Sequence, residues 1–328
     1  MKALIKGVWY SNHPDSDTLR AERSRIRSQF FRSQITADGS SGFKAEADRY
    51  HLYVSYACPF AHRTILVRKL KKLESVISMS VLNPDWGSPE GWVFGGWADS
   101  TLDTVNGYDY LYQVYQQAKP DFTGKVTVPV LWDKQQQTIV NYESAEIIRM
   151  LNSEFDAFGD ATVDFYPTAL RAEIDEVNAF VAERVNNGVY SAGFASTQEK
   201  YDAAIDMLFN ALDALEDRLS NQQFLVGDRL TEADLRLFVT LVRFDAAYYS
   251  ALNCNVKRLT EYPNLWNYTG RIYYLPGVAD TVKLDHIKRH YFDQHEGLIN
   301  RRIIPKGPTV DFEASLAPAM APAYSALR

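Results

Sequence analysis

The hydrophobic pattern of the chain changes character twice. From residue 50 the run "RYHLYVSYA" is aromatic and β-branched with alternation, which predicts a strand. "FAHRTILVRKLKKLE" follows with apolar positions at Ile65, Leu66, Leu70 and Leu73, the spacing of an amphipathic helix. "VISMSVL" predicts a second strand, "VTVPVLWD" and "TIVNYES" two more, and "SAEIIRMLN" a helix. Residues 50–152 therefore read as a mixed α/β domain. After the loop "SEFDAFGDATVDFYP" the period lengthens, with helices predicted over 169–185, 200–219 and 232–248 and no convincing strand. Residues 153–328 read as an all-helical domain whose periodic part begins near Tyr166. Residues 1–49 are rich in charge, Ser and Gly and read as an N-terminal extension, an extended arm laid over the rest of the chain. The tail "SLAPAMAPAYSALR" is Ala/Pro-biased and is expected to be poorly ordered.

Composition narrows the classes. The chain has 328 residues, 46% hydrophobic and 23% charged, with a formal net charge of -6, ordinary for a globular protein of one or two domains. No stretch approaches the roughly 18 apolar residues of a membrane helix, and the first apolar run is too short for a secretory signal. A cytoplasmic protein is expected. Without a Lys/Arg cluster there is no electrostatic footprint for nucleic acid, and no basic helix for a membrane surface. Two cysteines and six scattered histidines make neither a disulfide framework nor a metal-ligand spacing.

Chemistry concentrates at "YACPFAH". Pro59 suits the first position of a helix, which makes Cys58 the expected N-cap. There the positive end of the helix dipole favours a thiolate and lowers its pKa; a buried structural cysteine is the competing reading. Ala61 occupies the place of a resolving thiol, so the partner thiol is expected from a small molecule. Pro129 in "VTVPVL" interrupts a strand and predicts an edge or bend, often with a cis bond, where Val128 can pair its main chain with a peptide. Glu143 and Ser144 open the next helix, where they either cap it or hold the ammonium and carboxylate of a ligand. Cysteine, proline bend and Glu-Ser in this order resemble a thioredoxin-type glutathione site.

Longer motifs sharpen that resemblance: "GFKAEADRYHLYVSYACPFAHRT", "GWVF", "YLYQVYQQAKPDFTGKVTVPVLWDK", "NYESAEIIRMLN", "NNGVY", "RHYFDQH" and "INRRIIPKGP", spread over residues 42–308. On these the chain resembles the omega-like glutathione transferases, and within them the glutathionyl-hydroquinone reductases, or xi class. The resemblance implies a thioredoxin-like α/β domain followed by an all-α domain, a homodimer, glutathione as co-substrate and no metal. It implies reduction of glutathionyl-hydroquinones through a mixed disulfide on Cys58. It further implies a glutathione site of Phe60, Trp92, Lys125, Val126, Thr127, Val128, Glu143 and Ser144. Tyr190 is then the proton donor, and Tyr248 and Tyr291 lower the cysteine pKa. Phe60 stands where the family usually has Trp, and Lys125 where it usually has Arg, which a lysine cannot match in a bidentate carboxylate contact. The alternatives are an omega-like thioltransferase or dehydroascorbate reductase, and a non-catalytic scaffold. Thr231 and Asp234 in "LTEADL" form a capping-box variant, which gives Asp234 a structural role. Cys254 belongs to no motif and is expected to be inert.

Overall fold

Gly7 makes the first turn. In the computed structural model, which describes residues 2–12, 30–85, 87–293 and 303–312, β1 (Ala3–Ile5) pairs antiparallel with β2 (Val8–Tyr10). Gly7 has φ +77°, and a Cβ there would lie 1.8 Å from the Pro120 carbonyl oxygen, so only glycine fits. Leu4 and Gly124 exchange main-chain hydrogen bonds at 2.9 and 2.8 Å, tying the hairpin to the domain. The extended arm read over 1–49 thus contains a hairpin, whose three-residue strands are too short to display an alternation. Residues 13–29 of the arm and the Ala/Pro-biased tail lie outside the described residues.

The chain divides into two units, Met1–Val163 and Asp164–Arg328. In the first, β3 (Tyr50–Val54), β4 (Ser78–Val81), β5 (Val130–Asp133) and β6 (Thr138–Asn141) form a sheet in the order β4-β3-β5-β6. The β3/β4 pair is parallel, the other two antiparallel. With α1 (Pro59–Leu70), α2 (Leu111–Ala118) and α3 (Ser144–Ser153) this is the expected thioredoxin-like order. Helix α2, of eight residues, is, like the hairpin, an element that periodicity did not announce. All five residues of β3 are buried, among them His51, whose ring nitrogens lie 2.7 and 2.9 Å from the hydroxyls of Ser78 and Ser80. Burial lowers the His51 pKa to about 3, so the imidazole is neutral and both contacts are neutral hydrogen bonds.

The second unit is helical, and no strand occurs among its described residues. Helix α4 (Arg171–Val181) runs through a wide π turn (Ala182–Asn186) to α5 (Gly188–Gly193), followed by α6 (Gln198–Leu219). Helix α7 (Glu232–Arg243) ends in a second π turn (Phe244–Tyr248), and α8 (Pro263–Tyr273) and α9 (Leu284–Asp293) follow. Every residue of α7 is buried, as expected of a helix packed all round. The Asp234 carboxylate accepts from the main-chain N–H of Thr231 at 2.7 Å and of Leu225 at 2.8 Å, and from the Tyr268 hydroxyl at 2.9 Å. Those bonds make it the cap and brace of α7. Burial raises its pKa to about 6 against the pull of these donors.

Candidate active site

Cys58 has extended backbone (φ -79°, ψ 120°) and Pro59 opens α1 behind it; the His62 N–H closes the first turn onto the Cys58 carbonyl at 3.0 Å. The residue is the N-cap, without a side-chain capping hydrogen bond from its half-buried sulfur. It points instead at the Val128 carbonyl oxygen, 3.7 Å away, to which the thiol donates. The Val128–Pro129 bond is cis. Sequence reasoning missed the group that holds this segment. The Tyr115 hydroxyl on α2 donates to the Thr127 carbonyl at 2.9 Å and accepts the Thr127 N–H at 3.3 Å. Val126 and Val128 are buried and Lys125 half-buried.

Glu143 is the N-cap of α3, and its N–H donates to the Asn141 side chain at 2.8 Å. Asn141 in turn donates to Glu146 at 2.7 Å, and Arg32 from the arm forms a two-pronged ion pair with the same carboxylate. Ser144, 1% exposed, accepts a hydrogen bond from Arg63 at 3.4 Å. The Arg63 guanidinium also lies over the Phe60 ring, 4.9 Å from its centroid. Through Arg63, the helix that carries the thiol is joined to the start of the helix that carries Ser144. In the sequence Arg63 stands five positions after Cys58, inside the motif ending "CPFAHRT", with no partner indicated. Trp92 is buried, and its carbonyl accepts the Leu111 N–H that starts α2 at 3.0 Å.

The second unit brings the three predicted tyrosines together. Tyr190 on α5 has its hydroxyl oxygen 2.6 Å from that of Tyr291 on α9 and 3.5 Å from that of Tyr248, which ends the second wide turn. Tyr248 and Tyr291 are 3.3 Å apart. Burial pushes the Tyr190 and Tyr291 phenols well above their ordinary pKa, with the Tyr248 neighbour adding to it. Both therefore stay protonated at neutral pH and can donate. The Arg243 charge acts on Tyr291 in the opposite sense, favouring its phenolate. Cys254 is fully buried, and desolvation pushes its thiol up to about 12. Among the described residues no cluster of His, Cys, Asp and Glu could hold a metal ion, and no helix is long and apolar enough to cross a membrane.

The family model for the glutathione S-transferase N-terminal domain matches residues 57–154, and that for the C-terminal domain residues 198–271. The glutathionyl-hydroquinone reductase YqjG of Escherichia coli K12 is 48% identical over 95% of this chain and 97% of its own length. The reductase PcpF of Sphingobium chlorophenolicum is 48% identical over 94% and 96%. Among solved structures, the xi-class transferase of Natrialba magadii superposes with a TM-score of 0.90 at 46% identity, covering 97% of this chain and 95% of that one. The chain belongs to the xi-class glutathione transferases. Another member, the glutathione-bound YqjG structure, matches with a TM-score of 0.87 at 47% identity over 95% of this chain and 97% of that one. Both halves of the expected fold are those of this family.

Proposed function

We propose that the protein reduces glutathionyl-hydroquinones to hydroquinones, with glutathione as reductant. Glutathione's γ-glutamyl end lies on α3, its carboxylate toward Ser144 and the helix amides and its ammonium toward Glu143. Val128 pairs with the peptide main chain, while Phe60, Trp92 and Lys125 line it. Tyr190 gives its proton to the sulfur-bearing ring carbon of the substrate while the neighbouring ring hydroxyl releases its own to water, converting the hydroquinone adduct into an α-thioketone. The Cys58 thiolate, favoured by the positive end of α1, attacks the glutathione sulfur. The carbon–sulfur bond breaks, its electron pair returns to the ring as an enolate, and the enolate oxygen takes back a proton from water to give the hydroquinone. A second glutathione thiolate then attacks the Cys58 mixed disulfide, releasing oxidised glutathione and the Cys58 thiolate; its thiol proton restores the Tyr190 phenol.

The phenol cluster carries this reading over simple thiol–disulfide exchange. A disulfide already has a stabilised thiolate as leaving group and needs no proton donor, whereas a carbon leaving group does. The names of the two 48%-identical relatives support the same choice. A single turnover, with substrate and no added glutathione, tests it by intact-protein mass spectrometry and product analysis. One glutathionyl group on Cys58 and one equivalent of free hydroquinone are expected. Hydroquinone release without an adduct, or neither product, contradicts the mechanism.

A further inference from the structure

Side chains from the α4–α5 stretch and from α7 with its wide turn meet at three levels. Asn178 donates to Glu232 at 2.7 Å. Asn186 donates both amide hydrogens, to the Arg236 carbonyl at 2.9 Å and to the Thr240 hydroxyl at 2.7 Å. One turn on, Tyr190 meets Tyr248. Asn178 and Asn186 are eight positions apart, which overshoots two α turns, about 7.2 residues. The wide turn at Ala182–Asn186 takes up the extra residue, so both asparagines return to the face that meets α7. The same interval separates Thr240 from Tyr248 and contains the other wide turn, Phe244–Tyr248. Asn186 and Thr240 are 3% and 1% exposed, so their bond is formed away from water, where a missing partner is costly.

We propose that Asn186, the first residue of the "NNGVY" motif, is a positioning residue that fixes the Tyr190 hydroxyl against those of Tyr291 and Tyr248. Its amide bolts the turn before Tyr190 to the helix that leads, through the second wide turn, to Tyr248. A Tyr190–Tyr291 separation of 2.6 Å is a good O–H···O bond, and a shift of an ångström abolishes it. The kinetic consequence rests on the reading of Tyr190 as the proton donor; the geometric one does not.

The test uses full-length protein carrying tyrosine labelled with ¹³C at Cζ, the signals of Tyr50, Tyr190, Tyr248 and Tyr291 being assigned by single Tyr→Phe substitutions. Asn186→Ala is expected to move or broaden the Tyr190 and Tyr291 signals while leaving that of Tyr50 in place. Thr240→Val moves them less, and Thr240→Ser, which keeps the hydroxyl, restores them. The ratio of hydroquinone reduction to exchange with hydroxyethyl disulfide falls about tenfold in Asn186→Ala and about threefold in Thr240→Val, in keeping with the cost of a misplaced catalytic group. Unmoved phenol signals in a folded Asn186→Ala overturn the proposal, even if its thermal stability drops, because the residue is then only structural. Should Asn186→Ala not fold, the Thr240 pair decides in the same way. If Tyr190→Phe leaves the activity ratio unchanged, the proton-donor reading fails, and the ¹³C signals alone decide the role of Asn186.

Discussion

The thiol cradle of the first unit is built on main chain, the phenol cluster of the second on side chains. Around Cys58 the defining groups are a helix start, the Val128 carbonyl at 3.7 Å and the N-terminus of α3. A backbone arrangement of this kind depends little on the identity of the side chains around it. The tyrosine cluster has no such reserve. Its three hydroxyls sit 2.6 to 3.5 Å apart, on different elements, two of them set by wide turns, and removing any oxygen removes two contacts. Activity on substrates that need only the cradle should therefore respond differently to substitution from activity that needs both.

The largest effect is expected from Cys58→Ser, which removes hydroquinone reduction and disulfide exchange together, because a protonated serine hydroxyl is a poor nucleophile toward sulfur. Glutathione affinity, measured by calorimetry, should survive, since Glu143 and Ser144 remain. Undiminished turnover of either substrate would exclude Cys58 as the nucleophile.

Within the cluster, Tyr291→Phe removes the 2.6 Å partner of Tyr190 and should slow hydroquinone reduction by roughly tenfold, more than Tyr248→Phe, whose bond to Tyr190 is 3.5 Å. Steady-state rates on both substrates separate the two roles. If disulfide exchange falls equally, these two phenols serve the thiolate, as the family resemblance implies, and not the proton donor.

Stability should also distinguish the units, with opposite signs. His51 is held neutral with a pKa of about 3 against about 6.5 in an unfolded chain. Its contribution is complete above pH of about 6.5 and is lost as the pH falls toward 3. Asp234 is raised to about 6 from about 3.9; its contribution is complete below pH of about 3.9 and is lost as the pH rises toward 6. Pulse proteolysis in urea, with fragments assigned by mass spectrometry, should show the first unit weakening and the second strengthening on acidification from pH 6 to 4. His51→Gln flattens the first response and Asp234→Asn the second; parallel responses of the two units would contradict these assignments. The smallest effect is expected from Lys125→Arg, a change of about threefold or less in the KM for glutathione, toward tighter binding through a bidentate contact.

The division between main chain and side chain also explains what could be read in advance. Strand alternation around Tyr50, the Cys58-Pro59 start of α1, the Pro129 bend and the Thr231–Asp234 cap are local signals, and each element stands where its signal lies. The hairpin at Ala3–Tyr10 and the eight-residue α2 are too short to establish a period. Tyr115, Arg63 and Asn141 support the cradle across 12, 81 and 5 positions of sequence, and nothing in their immediate neighbours marks those partners. The wide turns were hidden for a different reason: 169–185 and 232–248 read correctly as helical, and a single extra residue per turn leaves hydrophobic periodicity almost unchanged. That residue nevertheless decides which face carries Asn186 and Tyr248. The tyrosines themselves, three among 20, were picked out by family motifs and not by pattern.

On the proposed mechanism the cradle suffices for a sulfur leaving group and the phenol donor is needed for a carbon one. Tyr190→Phe tests it most directly, with kcat/KM measured on a glutathionyl-hydroquinone and on hydroxyethyl disulfide in the same preparation. A loss of roughly 10²- to 10⁴-fold is expected on the hydroquinone adduct, the range for a missing general acid, with disulfide exchange retained within about twofold, since exchange needs no proton donor. Equal losses on the two substrates, or no loss on either, would contradict the mechanism.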